Sequence, residues 1–289
     1  MTSPVLIFGL GYHGRAAYRA CLSLSEKYLV IGFLDNNLWK RDTTPFYAQR
    51  PFRSNIPVYP PSDTSNLDFE KIIVAGPYRH AMRKQLLSLG IGHAQIEFWG
   101  ASTLRAPADL IKARSVKTNT LLLKLCDALE AQNLTYWLDF SGLLALTRNQ
   151  LLGELSDVDV SLLDCDMGSA ALSIKQIFAD CDLEYCDFPP DSAHRPEATL
   201  HHIAITEQCD SLHREPATLD VMIKFVNNDA AISSTGSSDM SVPGFHFQGN
   251  SLLAFEDRQI PVPVRWRDYL REIYGKHWYL PTEYFDKTA

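Results

Sequence analysis

Asp157-Val158-Asp159-Val160 sets two carboxylates two residues apart in a stretch that is otherwise apolar. On a strand, residues i and i+2 face the same side, so both carboxylates can converge on one cation. A third acid, Asp220, stands alone in the apolar run Thr218-Leu219-Asp220-Val221-Met222-Ile223. Upstream, Tyr136-Trp137-Leu138-Asp139-Phe140 runs through a small-residue turn, Ser141-Gly142, into Leu143-Leu144. Such residues in this order suit metal-assisted chemistry on a phosphate. Mg²⁺, as one ion or two, would sit between Asp157, Asp159 and Asp220, neutralise phosphate charge and align an attacking oxygen. An acid pair alone is common on surface strands; the ordered set of three features carries the reading.

A second constellation lies near the N-terminus. Gly9, Gly11 and Gly14 have the GxGxxG spacing between an apolar run and a helical stretch. Such a loop lets a phosphate approach the backbone, where the helix N-terminus stabilises it. Asp35, closing the next apolar run, falls where a ribose-binding acid would stand. A nucleotide cofactor site and a simple tight turn with close strand–helix packing both fit these glycines. The chain has no Ser-Tyr-x-x-x-Lys hydride-transfer set, which weighs against a dehydrogenase.

Other residues offer less. His201-His202, and Cys209 with His213, have metal-ligating types but suit ordinary surface or core roles. Arg265, Arg267 and Arg271 read as a solvated helix face; an anionic lipid-linked acceptor, or a peripheral membrane contact, is the other reading. Tyr274 and Trp278 read as core, and Lys276 is placed to reach a phosphate.

Two element patterns must position these groups. Pro4 to Phe8, Leu29 to Leu34 and Lys71 to Ala75 are apolar strands, with helices at Arg15 to Lys27 and at Arg79 to Leu89, the latter stopped by Gly90. A polar, Pro-containing loop separates the second and third strands. This order predicts a parallel sheet covered on both faces, an α/β Rossmann-like half. From Pro107 the pattern becomes α+β. A long amphipathic helix, Ala108 to Gln132, places Leu121, Leu122, Leu125 and Leu129 on one side. Strands follow at Thr135 to Leu138, Asp157 to Leu163, Leu183 to Cys186, Thr199 to Ile205, Thr218 to Phe225 and Gln259 to Val262, with helices at Leu143 to Arg148, Gly168 to Ala179 and Arg265 to Tyr274. Ser233 to Ser241 reads as a polar loop. The division expected is a Rossmann-like nucleotide-binding domain over 1–105 and a second domain over 106–289.

Composition narrows the function classes. The 289 residues are 46% hydrophobic and 21% charged, enough for a sizeable core. The net charge of −7 conceals an asymmetry, since residues 1–105 carry 12 Lys+Arg against 7 Asp+Glu and the remainder 15 against 27. An acidic second half argues against a nucleic-acid groove there and suits a cation site. No apolar run is long enough to span a bilayer, and no basic region precedes the first strand as in a signal peptide. Cys21, Cys126, Cys165, Cys181, Cys186 and Cys209 form no CxxC pair. They are expected as buried free thiols in a cytoplasmic protein. Oligomeric state is not legible.

The runs VLIFGLGYHGR, VIGFLDNN, IPVYP and KIIVAGPYRHAMRKQLLSLGI resemble small Rossmann modules of surface-polysaccharide biosynthesis, from Val5 to about Trp99. In the second half, YWLDFSGLLALTR, SDVDVSLL, TLDVMIKF and IPVPVRWRDYLREIYGKHWYLPTEYFD resemble the LicD/fukutin family of phosphotransferases, from about Leu121 to Phe285. The resemblance implies a nucleotidyltransferase fold and transfer of a phosphoalcohol, phosphocholine or a polyol phosphate, from a CDP-linked donor to a glycan or lipid-linked oligosaccharide hydroxyl. It implies Asp157 and Asp159 as Mg²⁺ ligands, Asp220 as third ligand or base, Arg148 as a phosphate contact, and Ser141, Gly142 and Lys276 at the substrate. The family's Gly-Thr turn stands here as Ser141-Gly142, and the spacing from Arg148 to Asp157 is one residue shorter. The competing expectation is an NAD(P)-dependent oxidoreductase, or a sugar-nucleotide-binding module, that uses the glycine loop beside an inactive second domain.

Overall fold

Every apolar run read as a strand in the first half lies in one sheet. The computed structural model describes residues 2–36, 56–75, 78–100, 104, 106–187, 200–208, 216–227, 229–234 and 239–280. It divides into two compact units, one of Met1–Leu110 and Gln208–Pro216, the other of Ile111–Glu207 and Ala217–Ala289.

In the first unit, β1 (Ser3–Phe8), β2 (Tyr28–Leu34), β3 (Val58–Tyr59), β4 (Lys71–Ala75) and β5 (Ile96–Trp99) pair in parallel in the order β3-β2-β1-β4-β5. Helix α1 (Tyr12–Ser23) lies between β1 and β2 in sequence, and α2 (Arg79–Ser88) between β4 and β5. Alternate residues of β1 enter different cores. Val5 and Ile7 pack with Ala17, Tyr18 and Cys21 of α1, whereas Leu6 and Phe8 pack with Leu86 of α2. Burial on both faces is why these strands read as unbroken apolar runs. The region read as a loop between the second and third strands contains β3, too short to register as a pattern. Strand β5 shows no continuous apolar run, because Glu97 interrupts it.

The second unit comprises α3 (Ala108–Ala131) from Ile111 onward, β6 (Tyr136–Leu138), α4 (Phe140–Thr147), β7 (Val158–Leu163), α5 (Met167–Ile177), β8 (Cys181–Asp187), β9 (Leu200–Glu207), β10 (Thr218–Val226), β11 (Ala230–Ser234), β12 (Asp239–Pro243), β13 (Ser251–Phe255), β14 (Arg258–Val262) and α6 (Trp266–Tyr274). Seven strands form a mixed sheet in the order β12-β11-β10-β7-β6, with β9 also on β10 and β8 on β9. Among the described residues, only the β7–β10 pair is parallel within it; the other pairings are antiparallel. The stretch Ser233 to Ser241, expected as a loop, instead contributes to the antiparallel pair β11–β12, with 235–238 outside the described residues. Its small polar residues carry no hydrophobic alternation, although Ser233 on β11 is buried.

The leucine stripe of α3 is buried as its spacing predicts. Leu121, Leu122, Leu125 and Leu129 share a core with Val158, Val160 and Leu162 of β7 and with Leu219, Val221 and Ile223 of β10. Strand alternation then sends Asp159, Ser161, Asp220 and Lys224 to the opposite face. The chain therefore joins an α/β Rossmann-like unit with a parallel sheet to an α+β unit built on a mixed sheet. Among the described residues, no helix is long and apolar enough to cross a membrane. Cys21 and Cys126 are buried as expected, whereas Cys165 is exposed on a short turn after β7. Cys209 and His213 lie outside the described residues.

Candidate metal centre

Parallel pairing of β7 and β10 places Asp220 directly opposite Asp159. Asp157 precedes β7 by one residue, on the side of Asp159. One carboxylate oxygen from each of Asp157, Asp159 and Asp220 lies within 4.8 Å of the others. Burial comes first in raising Asp157, to about 6, with the nearby Asp220 charge adding to it. Burial and then the Asp157 charge hold Asp159 well above the usual carboxylate range, against the hydrogen bonds of Ser141. Three acids that repel one another in a shielded place make a site that a hard divalent cation would relieve. The all-oxygen donor set fits Mg²⁺.

Side-chain donors orient the acids. Ser156 Oγ donates to Asp157 Oδ1. Ser141 donates to Asp159 Oδ2 from its backbone N, at 3.0 Å, and from its hydroxyl, at 2.5 Å. Arg114 of α3 is buried and donates to the carbonyl oxygens of Gly153, at 3.3 Å, and Ser156, at 2.7 Å, so it shapes the turn that delivers Asp157.

Behind this layer sits a buried ionic network. Lys224 Nζ lies 2.8 Å from Asp139 Oδ2 and 2.6 Å from Ser233 Oγ, with the Phe140 ring centroid 4.1 Å away. Asp139 caps α4, accepting from the Phe140 backbone N at 2.8 Å, and also accepts from Ser161 Oγ, at 2.5 Å, and from the Tyr269 hydroxyl. Its own backbone N donates to the Asp159 carbonyl at 2.9 Å. Burial pushes the Lys224 ammonium below its ordinary value, although Asp139 and Asp159 favour its charge. Phe140 opens α4 at φ +36°, in the left-handed region that a bulky residue rarely adopts.

The remaining residues singled out in the sequence take varied positions. Gly142 is buried, and a Cβ there would meet Leu138 and Val158 side-chain carbons at 2.8 Å, so it permits α4 to press onto β6 and β7. Arg148 donates to the Trp278 carbonyl through Nε, at 2.7 Å, and through Nη2. It thereby anchors the turn that carries the exposed Lys276. Trp278 packs against the core, but Tyr274, expected as core, is 38% exposed. Burial and the charges of Asp159 and Asp139 raise the Tyr274 phenol. Arg267 and Arg271 lie exposed on α6, with Arg271 paired to Asp268 at 2.9 Å, whereas Arg265, expected within the helix, stands just before it at φ +53°.

His202 is the residue most undervalued by sequence. Its Nε2 lies 3.2 Å from Asp220 Oδ1. Burial lowers its pKa, but the hydrogen bond to Asp220 and the charges of Asp220, Glu184 and Asp157 raise it overall. Asp139, Lys224 and Tyr269 were also missed; the visible signal was a lysine inside the apolar run TLDVMIKF.

In the first unit, Gly9 takes φ +96°, and a Cβ on Gly14 would fall 1.8 Å from the Gly9 carbonyl oxygen. The space at Gly11 is open. Asp35 is buried and its Oδ2 accepts from the Leu10 backbone N at 2.8 Å, so this acid braces the glycine loop itself.

No protein-family model and no curated protein matches the chain. Among solved structures, lincosamide antibiotic adenylyltransferase LnuA, lincomycin-bound, is 16% identical, with 57% of this chain and 90% of that one covered at a TM-score of 0.35. ANT(2")-Ia in complex with adenylyl-2"-tobramycin is 13% identical, covering 58% and 83% at 0.33. Apo scyllo-inositol dehydrogenase from Lactobacillus casei is 12% identical, covering 96% and 86% at 0.26. These likenesses are remote.

Proposed function

We propose that the second unit is a Mg²⁺-dependent transferase that moves a phosphoalcohol, phosphocholine or a polyol phosphate, from a CDP-linked donor to a hydroxyl of a cell-surface glycan precursor. The convergence of Asp157, Asp159 and Asp220 within 4.8 Å carries the metal chemistry. The phosphoalcohol and the CDP carrier come from the resemblance of YWLDFSGLLALTR, SDVDVSLL and TLDVMIKF to the LicD/fukutin family. Mg²⁺ bound by the three acids would neutralise the donor phosphates. The chain's own part is to hold the acids in place through Ser156, Ser141 and the Lys224–Asp139 network. The acceptor oxygen forms the new P–O bond, the P–O bond to CMP breaks with its electron pair leaving on CMP, and the hydroxyl proton passes to a carboxylate of the cluster. Lys276, on the turn held by Arg148, is assigned to the donor phosphates.

The oxidoreductase reading rests on the glycine loop, where Asp35 is already engaged by Leu10. Thermal-shift titration with CDP-choline, CDP-ribitol, CDP-glycerol, CTP, NAD and NADP, with and without Mg²⁺, tests the proposal. A CDP-alcohol is expected to stabilise the protein only with Mg²⁺ present. Stabilisation by NAD alone would overturn the assignment.

A further inference from the structure

We propose that His202 is the positioning residue for Asp220, an inference that rests on the metal reading of the three acids. Strand β9 runs antiparallel to β10 with Ala204 opposite Asp220 and His202 opposite Met222. His202 therefore reaches diagonally along the sheet to bring Nε2 to 3.2 Å from Asp220 Oδ1. Alternation along β9 buries His201, Ile203 and Ile205, and turns His202 to the side of the acids. Both His202 and Asp220 side chains are only 20% exposed, so water competes weakly for the bond.

Asp157 and Asp159 each have a hydroxyl donor, from Ser156 and Ser141. Among the described residues, no serine hydroxyl is bonded to Asp220; the His202 imidazole takes the equivalent place. His202 is not a member of the group whose ligand atoms lie within 4.8 Å of one another. Its place is thus behind the carboxylate. One bond to Oδ1 fixes the plane of the Asp220 carboxylate and keeps its charge turned to the cluster when like-charged neighbours would drive it away.

Mn²⁺ binding to the full chain, read from the electron paramagnetic resonance of the free ion, tests this with four proteins. His202→Phe keeps the ring and removes the donor, so Mn²⁺ affinity is expected to fall about 10- to 100-fold. His202→Gln restores a side-chain N–H donor and is expected to recover most of that loss. Asp157→Asn, the control for the site itself, loses binding. Metal-free thermal melting of His202→Phe is expected to match wild type. Wild-type affinity in His202→Phe beside lost binding in Asp157→Asn would overturn the role of His202 alone. Absence of Mn²⁺ binding in wild type would overturn both readings. Collapse of the metal-free fold in His202→Phe, or failure of His202→Gln to recover binding, would make the ring structural and overturn the inference as well.

Discussion

Ser141 holds Asp159 with two donors at once, its backbone N at 3.0 Å and its hydroxyl at 2.5 Å from the same Oδ2. The turn at the start of α4 thus faces a carboxylate of the site, and the helix dipole adds to the attraction. Ser141→Ala keeps the backbone bond and removes the stronger side-chain one. Mn²⁺ affinity and transfer are expected to fall about 10-fold or more, as for other outer partners of metal ligands. Unchanged affinity by calorimetry would show that the backbone bond suffices.

Asp157→Asn and Asp159→Asn preserve shape and remove charge from the cluster. Transfer is expected to fall on the order of a thousandfold, the scale of a lost electrostatic clamp on a phosphate. The metal-free proteins should be at least as stable as wild type, because burial and mutual repulsion already disfavour both charges. Turnover assays beside metal-free melting check both halves; near wild-type turnover in the two variants would remove them from the site.

Asp157 also sets a pH dependence for the metal-free protein. Its folded-state pKa is raised from 3.8 to about 6, so the folded state holds the proton more tightly than the unfolded chain. Its contribution to stability is therefore complete below pH 3.8 and is lost as pH rises through about 6. Urea midpoints of metal-free wild type should drop between pH 5 and pH 7 by more than those of Asp157→Asn. Parallel profiles for the two would contradict the assignment.

The pair Asp157 and Asp159 was legible because a period of two is a local rule. That Asp220 joins them follows from a parallel register between β7 and β10, which apolar spacing foreshadows but does not fix. His202 was ambiguous, since neighbouring histidines on a strand face opposite ways and nothing local says which one meets an acid. The Lys224–Asp139–Tyr269 network was invisible for a plainer reason: it closes only when strands and helices far apart in sequence have packed. In the first unit, the glycine spacing revealed the turn, while the bond from Leu10 to Asp35 showed how the acid is used.

That buried network makes its own prediction. Lys224 and Asp139 are 1% and 0% exposed, so removing one partner leaves a buried charge with no counter-ion. Lys224→Met is expected to destabilise the second unit by about 3–5 kcal/mol. Pairing it with Asp139→Asn removes the orphaned charge, and the double variant should be destabilised by less than the sum of the singles. Chemical denaturation of the four proteins measures the coupling; simple additivity would deny it.

The three loop glycines of the first unit should separate by role. A methyl group on Gly14 would press into the Gly9 carbonyl oxygen at 1.8 Å, and that backbone atom cannot turn aside as a flexible side chain could. Gly14→Ala is therefore expected to destabilise the first unit by about 3 kcal/mol or more. Gly11 has open space around it and φ −74°, which any residue can adopt, so Gly11→Val should melt close to wild type. A branched side chain there would nonetheless stand where a phosphate must meet the backbone. Calorimetry on Gly11→Val with each nucleotide that binds wild type then decides the loop's use. A nucleotide lost from Gly11→Val while CDP-donor binding at the acids persists assigns the loop to a second phosphate site. If every nucleotide that binds wild type still binds the variant, the glycines serve the turn alone, with Asp35 as its brace.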